Sequence, residues 1–214
     1  MRWFILLLPL ATVLSGCSQG PRAGYGTSRY YGVSPEARQC LSELGVAKAS
    51  YTPLPNRYLA PGCTQLNTVR LGSLRGDAGK FQLANLGPVT CQLANSFSGW
   101  ARYGIDRAAR QMLGSGVERI ETMGSYACRN VAGTDRLSAH STANAIDVAA
   151  FVLADGRRIS VKDDWSQGTP AEQQFLRTIH ASACKRFGTV LGPAYNADHA
   201  DHIHVEQSGG GFCR

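Results

Sequence analysis

The segment Ala145–Leu153, AIDVAAFVL, is apolar at eight of its nine positions, which predicts a β-strand buried in a core. Asp155-Gly156 follows as a hairpin turn and leads into a short second strand at Arg158–Val161. The alternating segment His202–Glu206 predicts a last strand near the end of the chain. Together these segments favour a small antiparallel sheet.

Helical patterns flank these strands. Apolar residues recur at helical spacing over residues 88–114 and again over residues 169–188, where a capping box opens the pattern. A further strand is expected at Val117–Met123, whereas residues 51–63 contain three prolines and predict a loop. This order of elements indicates one α+β domain over residues 34–214, with helices packed against the sheet.

The N-terminal residues have the layout of a secretory signal. Arg2 supplies a positive start, Trp3–Leu14 is a largely apolar run, and small residues precede Cys17. The segment Leu14–Cys17 resembles a bacterial lipobox, which implies cleavage before Cys17 and a lipid anchor on that residue. An ordinary signal peptide cleaved nearby is the alternative. Ser18 is similar to the residue found in lipoproteins sorted to the outer membrane, so the expected location is the periplasm, with the protein anchored to that membrane.

Three segments with different roles follow from this layout. Residues 1–16 are expected to be a signal peptide, residues 17–33 a lipidated cysteine with a flexible tether, and residues 34–214 the folded domain. The formal net charge is +7, and removal of the signal takes away only Arg2 and leaves +6. A charge of this size suits a wall polymer, an anionic membrane or nucleic acid. For an exported protein we expect peptidoglycan and the membrane as partners, and no nucleic acid.

Six cysteines remain once Cys17 is set aside, and an even number in an oxidising compartment predicts three disulfides. A cysteine metal site is the alternative reading, but the chain has no Cys-x-x-Cys spacing. Fifteen pairings of six cysteines are possible. We expect the pairs that would be neighbours in such a fold: Cys40–Cys63, Cys91–Cys184 and Cys128–Cys213.

Side chains of the metal-binding type are concentrated in two segments, Ser138–Asp147 and Asp198–His204. These segments hold four of the five histidines of the chain. Because side chains alternate along a strand, His202 and His204 share one face of the last strand, while the apolar residues next to them enter the core. Both imidazoles can therefore face a cleft.

The long apolar strand can complete this group. If it lies beside the last strand, Asp147 can approach His204, and His140 can fold back over the same point from the turn before the strand. Two imidazoles, one carboxylate and an open coordination position are typical of a catalytic zinc site. The sequence therefore predicts a zinc ion as cofactor.

The spacing His140-x6-Asp147, followed by His202-x-His204, resembles that of the LAS zinc metallopeptidases. These include D-Ala-D-Ala dipeptidases and carboxypeptidases, penicillin-insensitive murein endopeptidases and the hedgehog signalling domain. A longer likeness, over residues 37–214, is to the bacterial extensin-like C-terminal domain. It is carried by Tyr126–Arg129, Ser138–Asp147, Leu153–Arg157, Phe187–Pro193 and Cys213-Arg214. The resemblance implies a hedgehog-like or D-Ala-D-Ala peptidase-like α+β fold.

The resemblance also implies a role for each matching residue. It makes three residues the zinc ligands: His140, Asp147 and His204. His202 would lie beside them or stabilise an oxyanion. The implied candidates for the catalytic base are, in order, Asp201, His199 and Asp198. Asp201 stands where dipeptidase relatives have a longer glutamate, and Ala143 stands where many relatives have glycine. The candidates to bind a substrate carboxylate are Arg129, Arg136 and Ser138.

The implied activity is hydrolysis of peptide bonds in peptidoglycan stem peptides or cross-links, as a carboxypeptidase or an endopeptidase. Zinc lowers the pKa of bound water toward about 7 and polarises the carbonyl, while a base moves the proton to the leaving amine. Two alternatives remain, a non-catalytic peptidoglycan-binding lipoprotein and a lipoprotein in which the metal only stabilises the fold. Outside the site, we expect His180 and Trp165 to be structural and Glu206 to be solvated.

Overall fold

The structure, a computed structural model, describes Met1 and residues 34–208 and 210–214. The expected signal peptide, the lipidated Cys17 and the tether lie outside the described residues, except for Met1 itself. Within the described part of the chain, no helix has both the length and the apolar character that crossing a bilayer requires.

Helices and strands occur in mixed order along the chain, so the predicted α+β class is confirmed. The α-helices are α1 (Pro35–Val46), α2 (Cys91–Trp100), α3 (Arg107–Leu113), α4 (Val161–Gln167) and α5 (Pro170–Ala183). The strands are β1 (Ser50–Pro53), β2 (Arg57–Ala60), β3 (Cys63–Gln65), β4 (Thr68–Arg75), β5 (Lys80–Ala84), β6 (Val89–Thr90), β7 (Val117–Gly124), β8 (Ala145–Leu153), β9 (Arg158–Ser160), β10 (Thr189–Leu191), β11 (Ile203–Glu206) and β12 (Phe212–Cys213).

The main sheet is larger than the sequence predicted. Its strand order is β1-β4-β5-β7-β8-β11-β10-β12, with β6 also paired to β4 and β9 to β8. The pairs β5–β7 and β10–β12 are parallel, and the other pairs are antiparallel. The apolar strand β8 lies inside the sheet between β7 and β11, as its nearly continuous hydrophobic sequence requires.

The prediction of a loop over residues 51–63 is wrong, because β1 and β2 fall in this segment. Among the residues that the structure describes, β1 pairs only with β4, and β2 pairs only with β3 in a separate hairpin. A strand with a single neighbour tolerates proline, since an outward-facing position needs no N–H donor. Pro53 therefore ends β1 without breaking the sheet.

The helix predicted over residues 88–114 is present but interrupted. Thr90 caps its start by accepting a hydrogen bond from Leu93, and the left-handed Gly114 ends it. Between α2 and α3, residues Ala101–Asp106 form one wide π-helical segment. The helix with the predicted capping box is α5, and it ends at Ala183 rather than near residue 188.

The aromatic core lies between these helices and one face of the sheet. Phe151 of β8 packs edge-to-face on Phe175 of α5, and the buried indole of Trp100 donates a hydrogen bond to the carbonyl of Ile179. The inward-facing residues of β8 and β11 are fully buried: Ile146, Val148, Ile203 and Val205. Because neighbours along a strand point to opposite faces, Asp147 and His204 lie on the other side of the sheet.

The prediction of three disulfides is confirmed, but the expected pairing Cys40–Cys63, Cys91–Cys184 and Cys128–Cys213 is wrong. The disulfides are Cys40–Cys91, Cys63–Cys128 and Cys184–Cys213. The helix α1 packs on α2, which brings Cys40 within 6.0 Å of Cys91 between Cα atoms. Strand β10 is the next strand after α5, and β12 pairs with it. This pairing brings Cys213, near the chain end, back to Cys184 at the end of α5. Long-range packing therefore decides the pairing.

Candidate metal centre

The register of β8 and β11 brings the first two candidate ligands together. The strands are antiparallel neighbours, as predicted, and Asp147 lies directly opposite His204. Asp147 Oδ1 is 2.8 Å from His204 Nδ1, and both side chains are largely buried. Their approach follows from strand pairing and needs no unusual backbone.

The third side chain, His140, comes from a single 3-10 turn, Ala139–Thr142, just before β8. Ser138 begins this turn, since its hydroxyl accepts a hydrogen bond from the backbone N–H of His140 at 3.3 Å. Ala143 ends it with φ of 55°, the left-handed conformation that glycine adopts more easily. The turn directs His140 Nε2 to within 3.1 Å of Asp147 Oδ2.

The environment of His140 selects one of its two nitrogens as a ligand. Nδ1 lies 2.8 Å from the carbonyl oxygen of Ser125, so Nδ1–H donates to that acceptor and Nε2 carries the lone pair. Nε2 is buried and has no hydrogen-bond partner among the described residues, although Asp147 Oδ2 is near it. A buried acceptor without a donor is what remains when a metal ligand is shown without its ion.

The charges of the group favour binding of a cation. Burial by itself raises the pKa of the Asp147 carboxyl, but contacts with His140 and His204 outweigh burial and hold that pKa well below its ordinary value. Burial lowers the pKa of His204, but Asp147 and Glu206 outweigh that effect and raise it to about 9. The site therefore stabilises a positive charge between the carboxylate and the imidazoles.

The donor set fits zinc. One ligand atom from each of His140, Asp147 and His204 lies within 4.8 Å of the others. Ligands about 2.0–2.1 Å from a tetrahedral zinc ion are about 3.3 Å apart. The two nitrogen–oxygen distances above, 2.8 and 3.1 Å, are slightly shorter and end on different oxygens of Asp147. Two histidines and one carboxylate are a ligand set of catalytic zinc sites, in which a fourth position is left for water or substrate.

His202 and Asp201 form a pair beside this group. His202 is buried, its Nδ1 lies 2.8 Å from Asp201 Oδ1, and its Nε2 lies 3.5 Å from Asp147 Oδ1. The Asp201 side chain is 44% exposed and is not among the residues that line the adjoining cavity. The structure thus places His202 next to the candidate metal ligands and Asp201 on the far side of its ring.

His199 and Asp198 lie on a short 3-10 turn at the same cavity. The ring of His199 is 5.1 Å from that of His202 and 5.9 Å from that of His204, between centroids. Burial, together with the charges of those two histidines, lowers the pKa of His199 to about 4. Asp198 is exposed, so its carboxylate stands at the rim.

A cavity of about 850 Å³ is lined by two of the candidate ligands, Asp147 and His204. Arg129, Arg136 and Ser138 line it, as do the exposed rings of Tyr195 and Phe212. Neither guanidinium forms an ion pair with a carboxylate in the described part of the chain. The three residues predicted to bind substrate therefore line one cavity with the candidate ligands Asp147 and His204, although the Ser138 hydroxyl is also used to cap the turn of His140.

The expectation that Glu206 is solvated is wrong. Its side chain is only 19% exposed, it lines the cavity, and its Oε2 is 3.4 Å from His204 Nε2. The alternation that places His202 and His204 on one face of the strand also places Glu206 there. This two-residue pattern could have identified Glu206 as a residue of the site.

A second group of metal-binding side chains lies elsewhere, formed by His180, Cys184 and Cys213. The two cysteines are joined in a disulfide, so their sulfurs are not thiolate ligands. His180 stacks edge-on against the buried ring of Trp165, consistent with the structural roles expected for both.

One family comparison covers nearly the whole described domain. A family model for the extensin-like protein C-terminus matches residues 38–214, a range that includes every candidate site residue above. The chain matches no curated protein and no solved structure at a significant level. On the strength of the family match, this chain belongs to the family of extensin-like protein C-terminal domains.

Proposed function

We propose that the chain is a zinc-dependent peptidase that hydrolyses peptide bonds in peptidoglycan stem peptides or cross-links. The observation that carries the proposal is the convergence of His140, Asp147 and His204 beside a cavity large enough for a peptide. The His-x6-Asp and His-x-His spacings support a relationship with the LAS metallopeptidases.

The cavity supports a substrate that carries a carboxylate. Arg129 and Arg136 line it, and neither pairs with a carboxylate of the residues that the structure describes. A guanidinium binds a carboxylate through two parallel hydrogen bonds. A stem peptide ends in a carboxylate, and the cross-links between stem peptides lie close to further carboxylates. These two residues would hold the peptide so that its scissile carbonyl lies beside the ligand group.

We assign the proton transfer to His202, with Asp201 as its positioning residue. A bound zinc ion would supply Lewis acidity toward the carbonyl and toward water. His202 Nε2 faces the ligands, and Asp201 holds Nδ1–H, so Nε2 is free to accept a proton. As the water oxygen bonds to the carbonyl carbon, His202 takes the proton, and it returns a proton to the nitrogen when the carbon–nitrogen bond breaks. His199, whose neutral ring borders the same cavity, is the second candidate.

The proposed location is the periplasm, with an anchor to the outer membrane through lipid on Cys17. The lipobox-like Leu14–Cys17 and Ser18 support it, and the net charge of +6 that remains after removal of residues 1–16 suits the polyanionic wall. Metabolic labelling with a palmitate analogue tests the anchor, since Cys17→Ser should abolish the label.

The test of the activity uses purified protein and a defined mixture of monomeric and cross-linked muropeptides. We expect mass spectrometry to detect hydrolysed products that disappear with a chelator and return with added zinc. A zinc-loaded, folded protein that cleaves no stem or cross-linked peptide would refute the proposal.

Binding of peptidoglycan without cleavage is the second candidate function. The positive charge favours it, as do the guanidiniums of Arg129 and Arg136, which form no ion pair with a carboxylate among the described residues. It predicts that pull-down by isolated sacculi is unchanged in His204→Ala and falls in the double variant Arg129→Ala, Arg136→Ala. Cleavage that depends on His204 would exclude it.

A further inference from the structure

Glu206 occupies a defined position at the end of β11. It is the last residue of the strand, opposite Ala145 of β8 and Thr189 of β10. Its side chain shares the cavity face with His204, whereas Val205 between them is fully buried in the core. The strand therefore directs this carboxylate toward the ligand group.

The imidazole of His204 lies between two carboxylates. Its Nδ1 is 2.8 Å from Asp147 Oδ1, and its Nε2 is 3.4 Å from Glu206 Oε2. The second oxygen of Glu206 accepts a hydrogen bond of 3.1 Å from the hydroxyl of Ser208. Glu206 is thus held from both sides and is mostly shielded from solvent.

A neutral imidazole has one N–H and one lone pair, and the acceptor at one nitrogen decides where the lone pair lies. In the metal-free protein both nitrogens of His204 face a carboxylate, Asp147 at Nδ1 and Glu206 at Nε2. With an ion bound, Asp147 would be a ligand of that ion, so Glu206 would keep the proton on Nε2 and leave the Nδ1 lone pair for the ion. His140 has the opposite arrangement, because the carbonyl of Ser125 takes its Nδ1–H and leaves Nε2 as the ligand atom. Each histidine therefore has an acceptor on the nitrogen that points away from the ligand group.

We propose that Glu206 is a positioning residue for metal binding, which holds His204 in the tautomer and orientation that present Nδ1 to the ion. The inference rests on the proposed metal site but not on cleavage of any substrate. Without this carboxylate, His204 loses the acceptor that selects its tautomer, and its ring is free to rotate toward solvent.

The test measures zinc affinity of the full chain by competition with a chromogenic chelator, using zinc alone as the probe. Loss of a carboxylate behind a ligating histidine typically weakens metal binding by about 10–100-fold, and we expect this for Glu206→Ala. Glu206→Gln keeps an acceptor oxygen and should recover most of the affinity. The control is Glu118→Ala, an exposed glutamate on β7, which should bind zinc like the wild type.

A spectroscopic measurement separates positioning from a general loss of structure. In the zinc-loaded wild type, nitrogen-15 NMR should show a slowly exchanging proton on His204 Nε2, and this signal should be lost in Glu206→Ala while the melting temperature of the metal-free protein stays close to wild type. Zinc affinity of Glu206→Ala within about twofold of wild type, or a wild type that binds no zinc, would overturn the inference. A wild type that binds zinc but cleaves no muropeptide would refute the proposed peptidase and leave the role of Glu206 intact.

Discussion

The two faces of β8 and β11 differ in what their side chains need. On one face, Ile146 and Val205 are fully buried against the helices, and their contacts are complete within the protein. On the other face, Asp147 and His204 are nearly as buried, yet the neighbouring His140 Nε2 has no hydrogen-bond partner among the described residues. Adjacent residues thus face the core and the proposed metal site. Substitutions on the core face should mainly lower stability, and substitutions on the site face should mainly lower metal affinity.

The largest effect on stability is expected when an acidic residue is placed on the core face. Ile146→Asp places an unpaired carboxylate in an apolar core and should lower the free energy of unfolding by more than about 4 kcal/mol. Ile146→Val is the matched control and should cost about 0.5–1.5 kcal/mol. Chemical denaturation measures both, and near-wild-type stability of Ile146→Asp would show that this face is not a closed core.

The next effect concerns the adjacent residue on the other face. Asp147→Asn keeps the shape but removes the charge shared by His140 and His204, so zinc affinity should fall by about 10³-fold, close to 4 kcal/mol of binding free energy. The metal-free variant should stay folded by circular dichroism. Asp163→Asn, an exposed residue on α4, is the control for the loss of a carboxylate. Zinc binding that survives in Asp147→Asn would mean that this carboxylate is not a ligand.

A third prediction separates the two residues of the His202–Asp201 pair. Loss of a general base typically costs 10²–10⁴-fold in rate, so His202→Ala should lower kcat by about 10²-fold or more, with zinc affinity changed little. Asp201→Asn should have a smaller effect, about tenfold, because it alters only the hydrogen bond to Nδ1. Muropeptide kinetics measure both, and a larger loss in Asp201→Asn would return the role of base to Asp201.

A fourth prediction concerns recognition at the cavity wall. Charge-assisted hydrogen bonds contribute about 1.5–3 kcal/mol, so Arg129→Ala or Arg136→Ala should lower kcat/KM by about 10–100-fold, mainly by raising KM. Arg70→Ala, an exposed arginine on β4, is the control. Unchanged KM in both cavity variants would place the substrate carboxylate elsewhere.

The smallest effect is expected at Ala143, which ends the turn that carries His140. Ala143→Gly relieves a left-handed conformation but removes a buried methyl group and adds freedom to the unfolded chain, so these terms offset each other. The free energy of unfolding should change by less than about 1 kcal/mol, and zinc affinity should be unchanged. Thermal denaturation and the chelator competition measure the two quantities, and a large loss of either would assign the Ala143 side chain a role in holding His140.

Sequence patterns correctly predicted helix ends, because the residues next to a helix end determine where it begins or stops. The capping box at Thr169 and Glu172 is formed as predicted, and Gly114 ends the preceding helix in the left-handed conformation. The segments that sequence analysis missed depend on partners: β1 is a strand because β4 offers it an edge. The short helix α4 was also not predicted. Its cap, Ser160, is the last residue of β9, so no loop separates the strand from the helix.

The sequence by itself determined which side chains share a face, because alternation along a strand is a property of the backbone and needs no neighbour. That was enough to place His202 and His204 on one face, and to let Asp147 approach His204 on the condition that β8 and β11 are neighbours. Only the tertiary structure decided which cysteines pair, that Asp201 lies behind His202, and that Glu206 contacts His204 instead of solvent. These contacts depend on strand register and on the packing of distant segments, which alternation along a single strand does not determine.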